Sequence, residues 1–184
     1  MSLNQPVFKI LVVGEKNVGK TTLIRRYVDG QFMDVTMATI GVDFSLKTVF
    51  LGKKTEDEDE ENGKTAVLQI WDIAGENRFR AILPSYIMGT EGVILAFDAT
   101  DVKTLEKLSE WIEIINRNTP KRLFFILIST KNDIKNFNNK NLVNQFKENN
   151  PQVKFYLPTS SKTGQNIDEV FQMIGNLISK EINI

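Results

Sequence analysis

Short apolar runs alternate along this chain with segments whose apolar residues recur every three or four positions. The runs lie near 7–13, 42–51, 65–71, 92–98, 123–129 and 153–157. Runs this short, rich in Val, Ile, Leu and Phe, predict strands buried in a sheet. Between them Leu23, Ile24, Tyr27 and Val28 form one helical stripe, and Leu105, Leu108, Ile112 and Ile115 a second. Ile167, Val170, Phe171, Ile174, Leu177 and Ile178 form a third. Each stripe can close over a sheet face. Leu142, Val143 and Phe146, set among asparagines and lysines, predict a weaker helix near 139–148. The alternation predicts an α/β fold, a mostly parallel sheet with helices on both faces. The runs at 42–51 and 65–71 lie too close in sequence for a helical crossover, so they predict an antiparallel hairpin at the sheet edge.

The turn of that hairpin, an insertion over 54–63, carries six consecutive carboxylates, Glu56 to Glu61. Such a run repels itself and cannot be buried, so a solvated loop is expected. A docking tip for a basic partner and a weak divalent-cation trap are the alternatives, and no regular ligand spacing supports the second. A length of 184 residues with 41% hydrophobic content fits one domain, with its core over 7–180. Lys plus Arg and Asp plus Glu number 23 each, so no broad pull toward nucleic acid follows. There is no cysteine and no histidine. Disulfides, thiolate metal sites, a cysteine nucleophile and prenylation of this sequence are thereby excluded. Acid–base work falls to carboxylates, lysine or positioned water.

Directly after the first apolar run stands Gly14-Glu15-Lys16-Asn17-Val18-Gly19-Lys20-Thr21, followed by Thr22 and a helical stripe. This is G-x-x-x-x-G-K-[ST] between a strand and a helix. Its glycines let successive backbone N–H groups close around phosphate oxygens at the positive end of a helix. Lys20 is placed to reach the β and γ phosphates and Thr21 to ligate a bridging Mg2+. Trp71-Asp72-Ile73-Ala74-Gly75 follows the third run. An aspartate there can hold the Mg2+ through its water shell, and the glycine admits a backbone N–H to a γ phosphate. Thr130-Lys131-Asn132-Asp133 closes the fifth run, at the edge where ligands of parallel sheets collect. A carboxylate at Asp133 accepts two hydrogen bonds from guanine, a donor pair adenine lacks, and Lys131 can lie along the ring. Ser160-Ser161-Lys162 can offer a backbone donor to the guanine carbonyl.

With these motifs in place the chain resembles a small GTPase of the Ras superfamily, its Rab branch above all. Ala38-Thr39-Ile40-Gly41-Val42-Asp43-Phe44 is similar to the Rab effector-region signature, and Trp71 to Arg80 (WDIAGENRFR) to its second-switch signature. The resemblance implies a P-loop G domain: a six-stranded sheet with one antiparallel edge strand and helices on both faces. It implies GTP and GDP as ligands with Mg2+. Thr39 would join Thr21 and Asp72 at the metal and touch the γ phosphate in the GTP state, with Gly75 on its other side. Phe32 aligns with the aromatic that packs on guanine. Phe44, Trp71 and Tyr86 align with the triad presented to effectors, with plain core packing as the alternative. An exchange factor, a GTPase-activating protein and effectors would be its partners, and the chain itself a monomer.

Four departures from the family pattern qualify this. Glu76 stands where the family carries the glutamine that orients the attacking water. An ionised carboxylate accepts from water but cannot donate, and it adds negative charge near the γ phosphate, so slow intrinsic hydrolysis is expected. Lys16 occupies a phosphate-loop position usually held by glycine or a small residue. It can neutralise phosphate charge, pair with Glu76, or bend out to solvent, and the last is the expected placement. Thr130 replaces an asparagine, leaving guanine discrimination to Asp133, while Ser161 replaces an alanine and keeps its backbone donor.

The leading expectation is a GTP-dependent switch with trafficking or signalling roles. Its rival is a nucleotide-locked module that hydrolyses little and serves as an interaction platform. A P-loop nucleoside or nucleotide kinase is a third reading, opposed by Lys131 and Asp133. No apolar stretch approaches membrane-spanning length, which makes a cytoplasmic protein the default. The sequence stops at Glu181-Ile182-Asn183-Ile184 with no lipid-accepting tail. A shortened natural chain is the expected cause, and peripheral membrane association would then depend on the missing tail.

Overall fold

The computed structural model describes residues 5–33, 39–52, 64–120 and 122–182. Six strands form one sheet: β1 (Val7–Val13), β2 (Val42–Phe50), β3 (Thr65–Ile73), β4 (Thr90–Asp98), β5 (Phe124–Thr130) and β6 (Val153–Pro158). Their order is β2-β3-β1-β4-β5-β6. β2 runs antiparallel to β3, with Val42 opposite Ile73 and Phe50 opposite Thr65, and the remaining pairs are parallel. The mostly parallel sheet with one antiparallel edge strand thus forms as its periodicity implies. The hairpin turn at 54–63 lies outside the described residues.

Strand alternation divides the apolar residues into two cores. Phe8, Ile10 and Val12 of β1, Ile94 and Ala96 of β4, and Ile126 and Ile128 of β5 face one side. There α1 (Lys20–Asp29) contributes Leu23 and Ile24, and α7 (Ile167–Glu181) contributes Val170, Phe171 and Ile174. Leu11, Val13, Val93, Leu95, Phe97, Phe125 and Leu127 point to the opposite side. They meet α3 (Leu83–Ile87), α5 (Leu108–Arg117) and α6 (Lys140–Asn149). Burying one such large apolar side chain contributes about 1.5–3 kcal/mol, so two filled faces fix the register of the central strands.

Three local results differ from the sequence reading. The stripe at 105–115 divides into α4 (Lys103–Glu106) and α5. Residues 77–87 form α2 (Asn77–Arg80) and α3, too short to show a period in sequence. β3 runs on to Ile73, so Asp72 sits within the strand. Two of the asparagines around α6 mark its ends, while Asn141 and Asn144 lie within it. Asn139 Oδ1 accepts from Leu142 N at 3.1 Å as the N-cap, and Asn150 Nδ2 donates to Phe146 O. Two further contacts seat the β2–β3 hairpin on α7: Gln172 donates to Phe50 O, and Gly52 N donates to Asn176 Oδ1.

Candidate functional site

The carboxyl ends of β1, β3, β4 and β5 bring the motifs to one edge of the sheet. Between β1 and α1 the loop Gly14–Gly19 turns through backbone that demands glycine at its ends. Gly14 has φ 149° and a Cβ there would run into the Ala96 carbonyl oxygen, while Gly19 has φ 96°. Lys20 is only 6% exposed, and its Nζ donates to Gly14 O and Glu15 O, both at 2.9 Å. Burial lowers its pKa to about 8, against the upward pull of Asp72 and Glu15. Thr130 Oγ1 lies 2.5 Å from Val18 O and 3.0 Å from Phe97 O. A threonine here therefore ties the phosphate loop to β5 and β4, which is its use in place of asparagine.

Thr21, Thr39 and Asp72 converge beside Lys20. Thr21 Oγ1 lies 2.7 Å from Thr39 Oγ1 and donates to Asp72 Oδ2, which Thr39 Oγ1 also approaches at 3.3 Å. Asp72 is 4% exposed and its Oδ1 is buried without a hydrogen-bond partner. Burial raises its pKa, opposed by the Thr21 hydrogen bond, Lys20 and Thr39. Two hydroxyls and a buried carboxylate are hard oxygen donors, and an orphaned carboxylate oxygen is what a hydrated divalent cation would satisfy. The residues fit Mg2+. Among the described residues no three acidic or imidazole groups cluster as a metal cage, so such an ion would complete its shell from phosphate and water.

Across the loop lies a cleft of about 260 Å3, lined by Phe32 and Met33, by Thr130, Lys131, Asp133 and Ile134, by Ser161 and Lys162, and by Gly19 and Thr22. Lys131 adopts φ 57°, and its Nζ donates to Asp98 Oδ2 at 2.5 Å and Asn17 O at 2.8 Å. Its stem is thereby held along one wall. Ser160, fully buried, stands behind the cleft and donates to Asp133 Oδ1 at 2.6 Å, orienting the carboxylate. Asn132 knits the floor by donating to Ser129 O and Thr159 O. Asp98 is the residue the sequence reading missed. It is 7% exposed, and although burial opposes ionisation, the hydrogen bonds from Lys131 and Thr100 hold its pKa below the usual value. Its signal was available: an acidic residue at the carboxyl end of a buried parallel strand.

Facing the loop is the segment Gly75–Arg80. Gly75 packs so tightly on the Glu15–Lys16 peptide that no methyl group fits there. Lys16 Nζ pairs with Glu76 Oε1 at 2.8 Å, and Arg78 Nε with Glu76 Oε2 at 2.8 Å. The expected solvent-facing placement of Lys16 is therefore corrected, because a carboxylate lies within reach. The Lys16 hydrogen bond, and then Arg78, lower the Glu76 pKa. Glu15 turns its side chain to the facing segment and α5, accepting from Arg80 and, at 3.1 Å, from Trp111 Nε1, while its backbone carbonyl accepts from Lys20.

On the outer face of β2 and β3 the aromatics form a row. Phe44 and Trp71 stack with centroids 5.5 Å apart, and Trp71 and Tyr86 lie 5.6 Å apart. Lys9 Nζ sits 4.4 Å from the Trp71 ring centroid. Phe44 is 54% exposed, which no core phenylalanine is, while Trp71 packs partly against the second core.

The sequence pattern of the Ras family matches residues 9–180. The Ras-related protein RABD2b of Arabidopsis thaliana is 34% identical over 173 residues, covering 90% of this chain and 77% of that protein. Rab-1A of Dictyostelium discoideum is 34% identical over 178 residues, 96% of this chain and 82% of its own length. RabC of the same organism is 34% identical over 169 residues, 91% and 82% respectively. Among the described residues no helix is long and apolar enough to cross a membrane.

Proposed function

Because the chain belongs to the Ras family, within its Rab-like branch, we propose that it is a single-domain switch that binds GTP and GDP with Mg2+ and hydrolyses GTP slowly. The carrying observation is that Lys20, Thr21, Thr39, Asp72 and Gly75 come from three separate segments to one mouth, with the Asp133 cleft adjoining it. In this reading the loop N–H groups of residues 14–22 bind phosphate and Lys20 leaves its two carbonyl acceptors for phosphate oxygens. Thr21, Thr39 and Asp72 hold Mg2+, which when bound neutralises phosphate charge. Asp133 selects guanine, Lys131 and Phe32 flank its ring, and the Ser161 and Lys162 backbone meets its carbonyl. Thr39 and Gly75 answer the γ phosphate, so its loss releases both segments.

Glu76 accepts a proton-side hydrogen bond from the attacking water but donates none to the phosphate, which slows hydrolysis. Phe44, Trp71 and Tyr86 supply the apolar face for effectors, with exchange and activating proteins at the switch segments and a trafficking role on the cytoplasmic side of a membrane. Identifying the copurified nucleotide and timing phosphate release with and without Mg2+ tests the reading. A guanine nucleotide and Mg2+-dependent release support it; adenine nucleotide or phosphoryl transfer to a second substrate overturns it. A second reading, a nucleotide-locked interaction module, is favoured by the Lys16–Glu76 pair, and guanine nucleotide retained with no phosphate release would establish it.

A further inference from the structure

Under the switch reading two loops meet the base, 130–133 after β5 and 159–162 after β6, and Asn132 is stitched to both. Its Nδ2 donates to Ser129 O at 2.9 Å, to Ser129 Oγ at 2.8 Å and to Thr159 O at 3.0 Å, and its Oδ1 accepts from Phe137 N at 3.1 Å. Two carbonyl oxygens on one side and a backbone N–H on the other satisfy only one orientation of the carboxamide. The backbone repeats the stitch, with Asn132 N donating to Thr159 O at 3.1 Å. Next along each loop, Ser160 donates to Asp133 Oδ1 at 2.6 Å.

Ser129 is fully buried, and its Oγ lies 2.8 Å from the Tyr156 hydroxyl. That serine oxygen already accepts from Asn132, so its own hydrogen is available to Tyr156. The Tyr156 ring is held in turn against Phe97, with centroids 6.3 Å apart, and edge-on to Phe137 at 6.5 Å. A line of hydrogen bonds thus runs from the edge strand β6 through Ser129 to Asn132, one residue short of Asp133. Ser129, Asn132 and Tyr156 are not among the residues that line the cleft.

We propose that Tyr156 and Asn132 are positioning residues for guanine selectivity, acting through Ser129 to fix the spacing and aim of the two base-reading loops. This relay rests on the guanine reading of the cleft and adds to it side chains that never touch the base. Lys131 enters its loop at φ 57°, a left-handed backbone that a lysine adopts at a cost, so contacts from outside must hold the turn. Asn132 supplies them. Without the Tyr156 hydroxyl the buried Ser129 hydrogen is unmet, the serine turns toward another acceptor, and the Asn132 amide loses one of its three. The effect falls on the direction of Asp133, and so on the two guanine donors it accepts from, rather than on phosphate.

Nucleotide binding by the full chain tests this with GDP, ADP and inosine diphosphate, which keeps the carbonyl and N1–H of guanine but lacks its exocyclic amine. Wild type is expected to prefer GDP over inosine diphosphate. Tyr156→Phe is expected to shrink that preference by about threefold or more and to speed GDP dissociation by about three- to tenfold. Ser129→Ala breaks the same line, so the double variant should be no worse than the poorer single one. Asn132→Asp, which turns a carboxylate toward two carbonyl oxygens, should cost more than either. Tyr156→Phe keeps the ring and its packing, and it covers the case in which Asn132→Asp fails to fold. GDP and inosine diphosphate weakened by the same factor would make the three side chains structural only and overturn the relay, as would no change in both Tyr156→Phe and Ser129→Ala. Wild type with no preference for GDP over ADP defeats the guanine reading and the relay with it, whereas a clear preference with unresponsive variants defeats the relay alone.

Discussion

Lys16 Nζ sits 2.8 Å from Glu76 Oε1, so the loop between β1 and α1 itself holds that carboxylate. Arg78 takes the other oxygen at 2.8 Å. Replacing that carboxylate by an amide restores a donor and removes a negative charge. Glu76→Gln is expected to raise single-turnover phosphate release by about tenfold or more. Because Lys16 is its partner, Lys16→Ala and Glu76→Gln should combine non-additively, and a double-mutant cycle in rapid-quench measurements reads the coupling. Additive rates would show the two side chains acting separately on the phosphate.

Ser160 Oγ donates to Asp133 Oδ1 at 2.6 Å from a fully buried position. Removing a hydrogen bond to a charged group costs about 1.5–3 kcal/mol. Ser160→Ala should therefore weaken GDP and GTP alike by about tenfold or more, leaving their ratio unchanged. Asp133→Ala should go further and erase the preference for guanine over adenine nucleotides. Competitive displacement of a fluorescent GDP measures both.

The Asp98–Lys131 pair supplies a pH signature. Asp98 carries a pKa depressed below 3.8, so its folded state favours the ionised form more than the unfolded chain does. Its stabilisation is complete above that value and lost as pH falls through the folded pKa. Asp98→Asn should cost about 1–2 kcal/mol in urea unfolding at neutral pH. The difference from wild type should stay constant from neutral pH down to the ordinary aspartate range and shrink below pH 3.8. A gap that widens in acid would contradict the assignment.

Phe44 offers a clean test of the aromatic face, since more than half of it is exposed and it stacks on Trp71 from outside. Phe44→Ala should alter stability by less than about 1 kcal/mol and leave nucleotide affinity intact. Binding of proteins retained by the GTP-analogue form should fall by about tenfold or more, as for a central aromatic anchor. Calorimetric titration against any one such partner checks it.

Much of this molecule follows from local rules. Periodicity alone identifies six strands, the antiparallel hairpin and the long helices, because a residue's burial on a strand or helix face repeats with the backbone. The phosphate loop, Asp72, Asp133 and their order are legible because phosphate and guanine chemistry constrain residue type and spacing. The short helices of residues 77–87 show no period, and the role of Asp98 depends on a lysine thirty-three residues away. The fate of Lys16 was open in sequence for the same reason. A lysine beside solvent has many rotamers of similar energy, and only the approach of Glu76 across a chain separation of sixty residues selects one. The sequence by itself determined the order of the motifs and the family they mark. Tertiary structure decided that Glu15 turns to Arg80, and that Lys16 turns to Glu76. Long-range charge pairing depends on distances that only the packed sheet and α5 establish.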